Sequence, residues 1–201
     1  MQNLAVFTGD IVRSGALEAR ELSNVFTALE ATARSIADWH DSMAPFARFR
    51  GDGWQMALPP RYALRAALSL RAAVRATGKG RDTRIGIGIG AGQITSGNLG
   101  DADGPAFVNS GRALDGMQRQ SLFAAPDTSM VLRAALPLAD RIAQGWTPKQ
   151  AQMTLHLLAP LPPTHEALAT QMGITRQLIQ KQADAASVAA LIESCEIYEA
   201  S

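Results

Sequence analysis

Apolar positions along this chain change rhythm near residue 132. Before it, stretches of period two alternate with stretches spaced near 3.6; after it, only the helical spacing remains. Leu4-Ala5-Val6-Phe7-Thr8 reads as a short strand that stops at Gly9-Asp10. A long helix is expected over 17–39, where Leu22, Val25, Phe26, Leu29 and Ile36 share one face. Segments 46–50 and 54–58 form a hairpin about Gly51-Asp52-Gly53. An Ala/Leu/Arg helix follows Pro59-Pro60 over 61–76, the longest strand covers 84–94, a helix covers 105–122, and 129–132 is read as one more strand.

The order βαββαβα(β) predicts an α+β, ferredoxin-like sandwich rather than a doubly wound sheet. The remainder reads as a small all-α unit. Thr147 caps a helix with Pro148 at its first position, running to Leu158. Pro160, Pro162 and Pro163 break it, Thr164 opens a short helix to Met172, Gly173 ends that, and Thr175 caps a longer one. The boundary falls within 132–146, giving domains over 1–135 and 136–201.

Composition narrows the class. The 201 residues are 47% apolar and 18% charged, enough to bury real cores. Lys+Arg 19 against Asp+Glu 18 excludes a strongly basic nucleic-acid coater. The charge is unevenly shared: 1–146 holds 16 basic and 13 acidic groups, 147–201 only 3 and 5, for nets of +3 and −2. No apolar run approaches the ~20 residues of a spanning helix, and Met1-Gln2-Asn3-Leu4 fits neither a signal peptide nor a myristoylation site. A cytoplasmic protein without membrane partners is expected. Cys195 is the only cysteine, and His40, His156 and His165 show no ligand spacing. Trp146 and Met172 are read as core.

Two Gly-Asp pairs stand where the chain turns, at Asp10 and Asp52. Either is an ordinary turn former alone. In a ferredoxin-like sheet the first strand's end and the hairpin tip lie side by side, and two carboxylates there call for a divalent cation, Mg²⁺ or Mn²⁺. The amides of Ile11-Val12-Arg13-Ser14-Gly15 lead towards a helix N-terminus, a natural phosphate cradle. In Arg84-Ile85-Gly86-Ile87-Gly88-Ile89-Gly90, the isoleucines fall on one face and the glycines on the other. A bare face of that kind needs something against the backbone: a helix, a partner chain or a flat ligand.

Phe7 to Ser14, Arg48-Phe49-Arg50-Gly51-Asp52-Gly53, Arg84 to Gly90 and Gly97-Asn98-Leu99-Gly100 together resemble a class III nucleotidyl cyclase domain over roughly 4–120. With Gly104 to Leu114 added, the chain is similar along its length to the bacterial SatD family, including a C-terminal helix-turn-helix. The resemblance implies that Asp10 and Asp52 are metal ligands, with the Ile11 carbonyl as a further one. In a cyclase they hold two metals that activate a ribose 3′-hydroxyl and steady the triphosphate. It implies nucleotide contacts from Ile11, Val12, Arg13, Ser14 and Arg48, and a transition-state clamp from Asn109 and Arg112. Three positions depart from the cyclase pattern. Arg48 replaces a Lys, Gly88 replaces a His, and Asn109 and Arg112 are three apart instead of four, about 100° on a helix. The resemblance therefore implies a retained metal corner with a displaced clamp.

In 166–179, Ala169 lies four before Gly173, Ile174 plugs the core and Thr175 caps the next helix, with Leu168 and Ile179 as further core contacts. Arg176, Gln177, Gln180 and Lys181 then share an outer face with Thr175. Arg and Gln suit base edges, Lys suits phosphate. Three functions stay open: a DNA-binding regulator, expected to be a homodimer, whose nucleotide site is catalytically degenerate; an active nucleotidyl cyclase; or a dimerisation and protein-interaction module using the glycine-lined strand.

Overall fold

The computed structural model describes residues 1–40, 44–49, 51–95 and 97–201. It is a mixed α/β structure with an antiparallel sheet. The strands are β1 (Gln2–Ile11), β2 (Phe46–Arg48), β3 (Gly53–Leu58), β4 (Thr83–Thr95), β5 (Asn98–Asp103) and β6 (Phe123–Ala124). The helices of the first half are α1 (Ala19–Ala37), α2 (Ala63–Ala76) and α3 (Pro105–Asp115). Those of the second are α4 (Met130–Gln144), α5 (Pro148–Leu157), α6 (His165–Met172), α7 (Arg176–Ala185) and α8 (Val188–Glu199). The sheet order is β2-β3-β1-β4-β5, and β6 pairs with β4 in parallel beside Ile85 and Gly86.

The glycines of β4 are covered by α3. A Cβ at Gly88 would stand 2.2 Å from the Ala106 carbonyl oxygen, and one at Gly86 2.3 Å from that of Ser110. Of the three occupants the sequence allowed, the chain's own helix covers Gly86 and Gly88, while Gly90 is half-buried. The opposite face carries Ile85 and Ile87 into the main core with Phe7, Trp54, Met56 and the apolar sides of α1 and α2.

Helix α2 is the centre of the molecule, since every residue from Ala63 to Val74 is buried. It lies between the sheet and the C-terminal helices, and one core joins Leu29 and Leu68 to Leu157 and Leu191. Arg65 on α2 grips Glu199 of α8 (Nε–Oε1 2.5 Å, Nη2–Oε2 3.0 Å) and donates to the Leu158 carbonyl at 2.9 Å.

Three sequence expectations are corrected. β1 does not stop at Gly9-Asp10, because Asp10 pairs with Gly53 and Arg84 and Ile11 with Thr83. Helix α3 ends at Asp115, with Gly116 at its C-cap, rather than at 122. Residues 129–132 are no strand: the Ser129 hydroxyl accepts from the Leu132 amide at 3.3 Å and opens α4. Leu132, Leu136, Ala139 and Ala143 then bury at helical spacing, with Pro137 tolerated on the exposed side. Arg50, expected to end the hairpin's first strand, lies outside the described residues.

Two outcomes follow from this packing. Gly88→Ala is expected to cost about 3 kcal/mol by overpacking two backbones. Gly111→Ala, in open space on α3, should gain about 0.5–1 kcal/mol. Chemical denaturation of both variants checks the contrast. Half-buried His156 on α5 has its pKa pushed down by burial. The unfolded chain then binds the extra proton first, so stability falls as pH drops below about 6.5. A His156→Gln variant should show a flatter melting-temperature profile between pH 7 and 5.

Candidate functional site

Two regions carry the candidate residues. The first is the corner where β1 ends, the β2–β3 turn bends and β4 begins. Val6, Thr8 and Asp10 project to the α3 side of the sheet, where the Thr8 and Ser110 hydroxyls meet at 2.7 Å. Gly9 has no side chain because the Trp54 ring lies across it; a Cβ there would be 2.4 Å from that ring. Asp52 sits on the turn, after Gly51 in the left-handed region (φ 81°). Its Oδ2 accepts from the Ser14 hydroxyl, so the loop after β1 is tied to the hairpin tip.

Asp10 is already paired. Arg84, its register partner on β4, donates through Nε to Oδ1 at 2.9 Å and through Nη2 to Oδ2. The hydrogen bond to Asp10 is the main cause raising the Arg84 pKa; partial burial opposes it, and the charges of Asp10, Asp52 and Asp115 add to it. The Asp10 carbonyl also accepts from the Thr83 hydroxyl at 2.6 Å. The structure thus joins Asp10, Ser14 and Asp52 at one corner and adds Arg84, which sequence reasoning missed. Its signal was available: on antiparallel neighbours, Arg84 falls directly opposite Asp10 and on the same face.

Of the amides over 11–15, that of Val12 is committed, and the next bonds come from the residues just after the loop. Val12 donates to the Asp82 carbonyl at 2.9 Å, Ala16 to Arg13 at 2.9 Å and Leu17 to Ser14 at 3.0 Å. Ile11 is buried, and Arg13 is exposed in a left-handed conformation (φ 55°). Only a single 3-10 turn (Ser14–Ala16) follows, and α1 opens on a capping box of Glu18 and Glu21. Two carboxylates at that N-terminus oppose the expected phosphate cradle electrostatically.

Arg48 reaches the corner only at the Gly51 carbonyl of the turn. It pairs with Trp54 in register and lies on the α1 face, its guanidinium 3.9 Å from the Phe26 ring centroid, with Nη2 donating to the Gly51 carbonyl at 3.3 Å. Asn109 lies over the middle of β4, where a Cβ on Gly88 would come within 3.0 Å of its own Cβ. Arg112 is exposed and borders a groove of about 430 Å³ shared with Arg133, Phe123 and Leu136. Neither residue contacts Asp10 or Asp52.

The donor set fits a hard divalent cation in kind: two carboxylates share a corner, and a guanidinium stands there as a substitute cation. No group of three or more His, Cys, Asp or Glu side chains placed to hold a metal occurs among the described residues.

The second region is α6–α7. Thr164 caps α6, its hydroxyl accepting from the Ala167 amide at 3.1 Å. Gly173 takes φ 66° and ψ 33°, and the Ile174 amide donates back to the Ala169 carbonyl at 3.0 Å. Thr175 caps α7 by accepting from Leu178 at 3.2 Å. Leu168, Ala169, Ile179 and Ala183 are buried, while Thr175, Arg176, Gln177, Gln180 and Lys181 are exposed. The last four border an open groove with Asp184, whose carboxylate accepts from Gln180 at 2.8 Å. Among the described residues, Arg176 and Lys181 have no acidic partner.

No protein-family model and no curated protein matches the chain. Solved structures do. It is similar to the catalytic core of a rhodopsin-guanylyl cyclase with converted specificity in complex with ATPαS, at 19% identity over 58% of this chain and 73% of that one (TM-score 0.43). It is similar to the guanylyl cyclase Cya2 at 15% identity over 67% and 78% (TM-score 0.45). A bacterial light-regulated adenylyl cyclase matches at 17% identity over 61% and 42% (TM-score 0.43). Likeness at this level carries no functional argument. Among the described residues, no helix is long and apolar enough to cross a membrane.

Proposed function

We propose that this chain is a DNA-binding regulator of the SatD type, acting in the cytoplasm as a homodimer. Its ferredoxin-like, nucleotidyl cyclase-type domain takes a nucleotide with Mg²⁺ or Mn²⁺ without turning it over, and its helix-turn-helix domain reads double-stranded DNA. The observation that carries the reading is the α7 face: Arg176, Gln177, Gln180 and Lys181 exposed together behind a left-handed Gly173 and a Thr175 cap. Gln177 and Arg176 at the start of the helix reach for base edges, and Lys181 for phosphate. The segment 147–201 nets −2, so one head binds weakly and two heads on one dimer supply the affinity.

Nucleotide binding is supported by the order of the cyclase-like motifs and by the meeting of Asp10, Ser14 and Asp52 at one corner. When bound, the metal would be held by Asp10 and Asp52 and would offset the charge of the phosphates. Absence of turnover is supported by Arg48 on the far face of the sheet and by Arg112 in a separate groove. Without a guanidinium aimed at the corner by α3, developing phosphoryl charge lacks its clamp.

The test is selection from a random double-stranded DNA library, followed by anisotropy titration of the recovered site at several salt concentrations. Lys181→Ala should weaken binding to every sequence and lower the salt slope by about 1. Gln177→Ala should relax one base position, at a cost of about 1–3 kcal/mol. Failure to retain any duplex at low salt would refute the DNA reading, and a cyclic product from ATP or GTP would refute degeneracy.

A further inference from the structure

At the corner, Arg84 spends its bidentate contact on Asp10. Among the described residues, the Asp52 carboxylate is held by the Ser14 hydroxyl, and the charges of Asp10, Asp52 and Asp115 all act on Arg84. The Arg84 side chain is 43% exposed against 21% for Asp10, so it can leave the pair towards solvent without disturbing the core.

We propose that Arg84 is an exchangeable counter-ion that makes the corner selective for a metal–nucleotide complex over either component. This inference rests on the metal–nucleotide reading above. In the ligand-free protein the guanidinium occupies both Asp10 oxygens, so a divalent ion arriving alone must break a bidentate pair. It also leaves an unpaired arginine beside a dication. A nucleotide arriving alone finds Arg84 engaged by Asp10 with the Asp52 carboxylate beside it, and its phosphates are repelled. A metal–nucleotide complex meets neither obstacle. The metal takes Asp10 and Asp52, and the released Arg84 turns to the phosphate oxygens that come with it. Each component therefore improves the binding of the other, a reciprocal linkage carried by one side chain with two partners. No bond is made or broken in the exchange.

The same logic separates Arg84 from the other arginines nearby. Arg48 is engaged with Phe26 on the opposite face, and Arg112 lies in the groove beside Arg133. Of these three, Arg84 has both a carboxylate partner that a metal would claim and the exposure to leave it.

The experiment is Mn²⁺ binding by electron paramagnetic resonance, with calorimetry of ATP in chelator and of Mn²⁺·ATP, on the full chain and on Arg84→Gln and Arg84→Lys. The wild type should bind Mn²⁺ alone weakly, ATP alone not measurably, and Mn²⁺·ATP at least tenfold more tightly than either. Arg84→Gln should gain tenfold or more in affinity for Mn²⁺ alone while losing affinity for Mn²⁺·ATP, so that the linkage collapses. Arg84→Lys, which keeps the charge but cannot span both oxygens, should fall between them. Equal Mn²⁺ affinity in all three folded proteins would overturn the proposal, whatever ATP does. A gain in Mn²⁺ affinity in Arg84→Gln with ATP ignored by every protein would uphold the counter-ion role and refute the nucleotide reading.

Discussion

A guanidinium with no exposed surface holds the two halves of this molecule in register. Arg71, in the middle of α2, donates through Nε and Nη2 to Asp82 at 2.9 and 3.1 Å and through Nη1 to Asp140 at 2.6 Å. Asp140 in turn accepts from the Leu122 amide at 2.8 Å, which sets β6 beside β4. Arg75, one turn along, adds a bond to Asp82 at 2.7 Å and another to the Trp146 carbonyl. Desolvating such ions is costly, and replacing them with apolar groups is often neutral for stability. Removing one partner is different: it leaves a buried charge uncompensated, at about 3–5 kcal/mol. What the cluster supplies is position, because α2, β4, β6, α4 and the approach to α5 cannot shift separately while it is satisfied.

The cluster also stands between the two candidate regions. On one side, the Asp82 carbonyl accepts from Val12, and the next residue, Thr83, donates to the Asp10 carbonyl and accepts from the Trp54 indole at 3.0 Å. On the other, the Trp146 indole donates at 3.1 Å to the carbonyl of Ala186, the C-cap of α7. Hydrogen bonds therefore run without a break from the acidic corner to the end of the exposed helix. Contiguity alone is not coupling, which needs an element with two arrangements that both sites bias. Arg84, adjacent to Thr83 in the chain, is the element at the corner end for which two partners have been argued.

Much of this was legible in the sequence because it depends on local chemistry. The caps at Thr147, Thr164 and Thr175 and the turn at Gly173 are short-range devices, and each occurs where the residues announced it. The alternation in β4 announced a bare face, and α3 covers it at Gly86 and Gly88. What escaped was long-range. Residues 129–132 read as a strand, yet packing of Leu132 and Leu136 makes them the start of a helix. Gly9-Asp10 looked like a stop, yet partners on both sides carry the ladder two residues further. Nothing near Arg65 and Arg71 in sequence names Glu199, Asp82 or Asp140 as their partners. A single-residue register on neighbouring strands was enough to reveal Arg84, but only once the strand was extended past Gly9.

The glycine contact bears on the proposed absence of turnover. In the cyclase pattern a clamp needs its Asn and Arg four residues apart on one helix; here Asn109 and Arg112 are three apart, a difference of about 100°. A loosely packed helix would absorb such a change by rolling. Helix α3 has no room to roll, because the Ala106 and Ser110 carbonyls and the Leu114 amide rest directly on the backbone of Gly86 and Gly88. Close-packed interiors resist displacements even of a methylene's size. The direction of Arg112 is therefore set by the same contact that makes the glycines necessary, and it leads to the groove beside Arg133 rather than to Asp10. Moving Arg112 by one position, without touching the glycines, is the smaller step towards a clamp than any rearrangement of the helix itself.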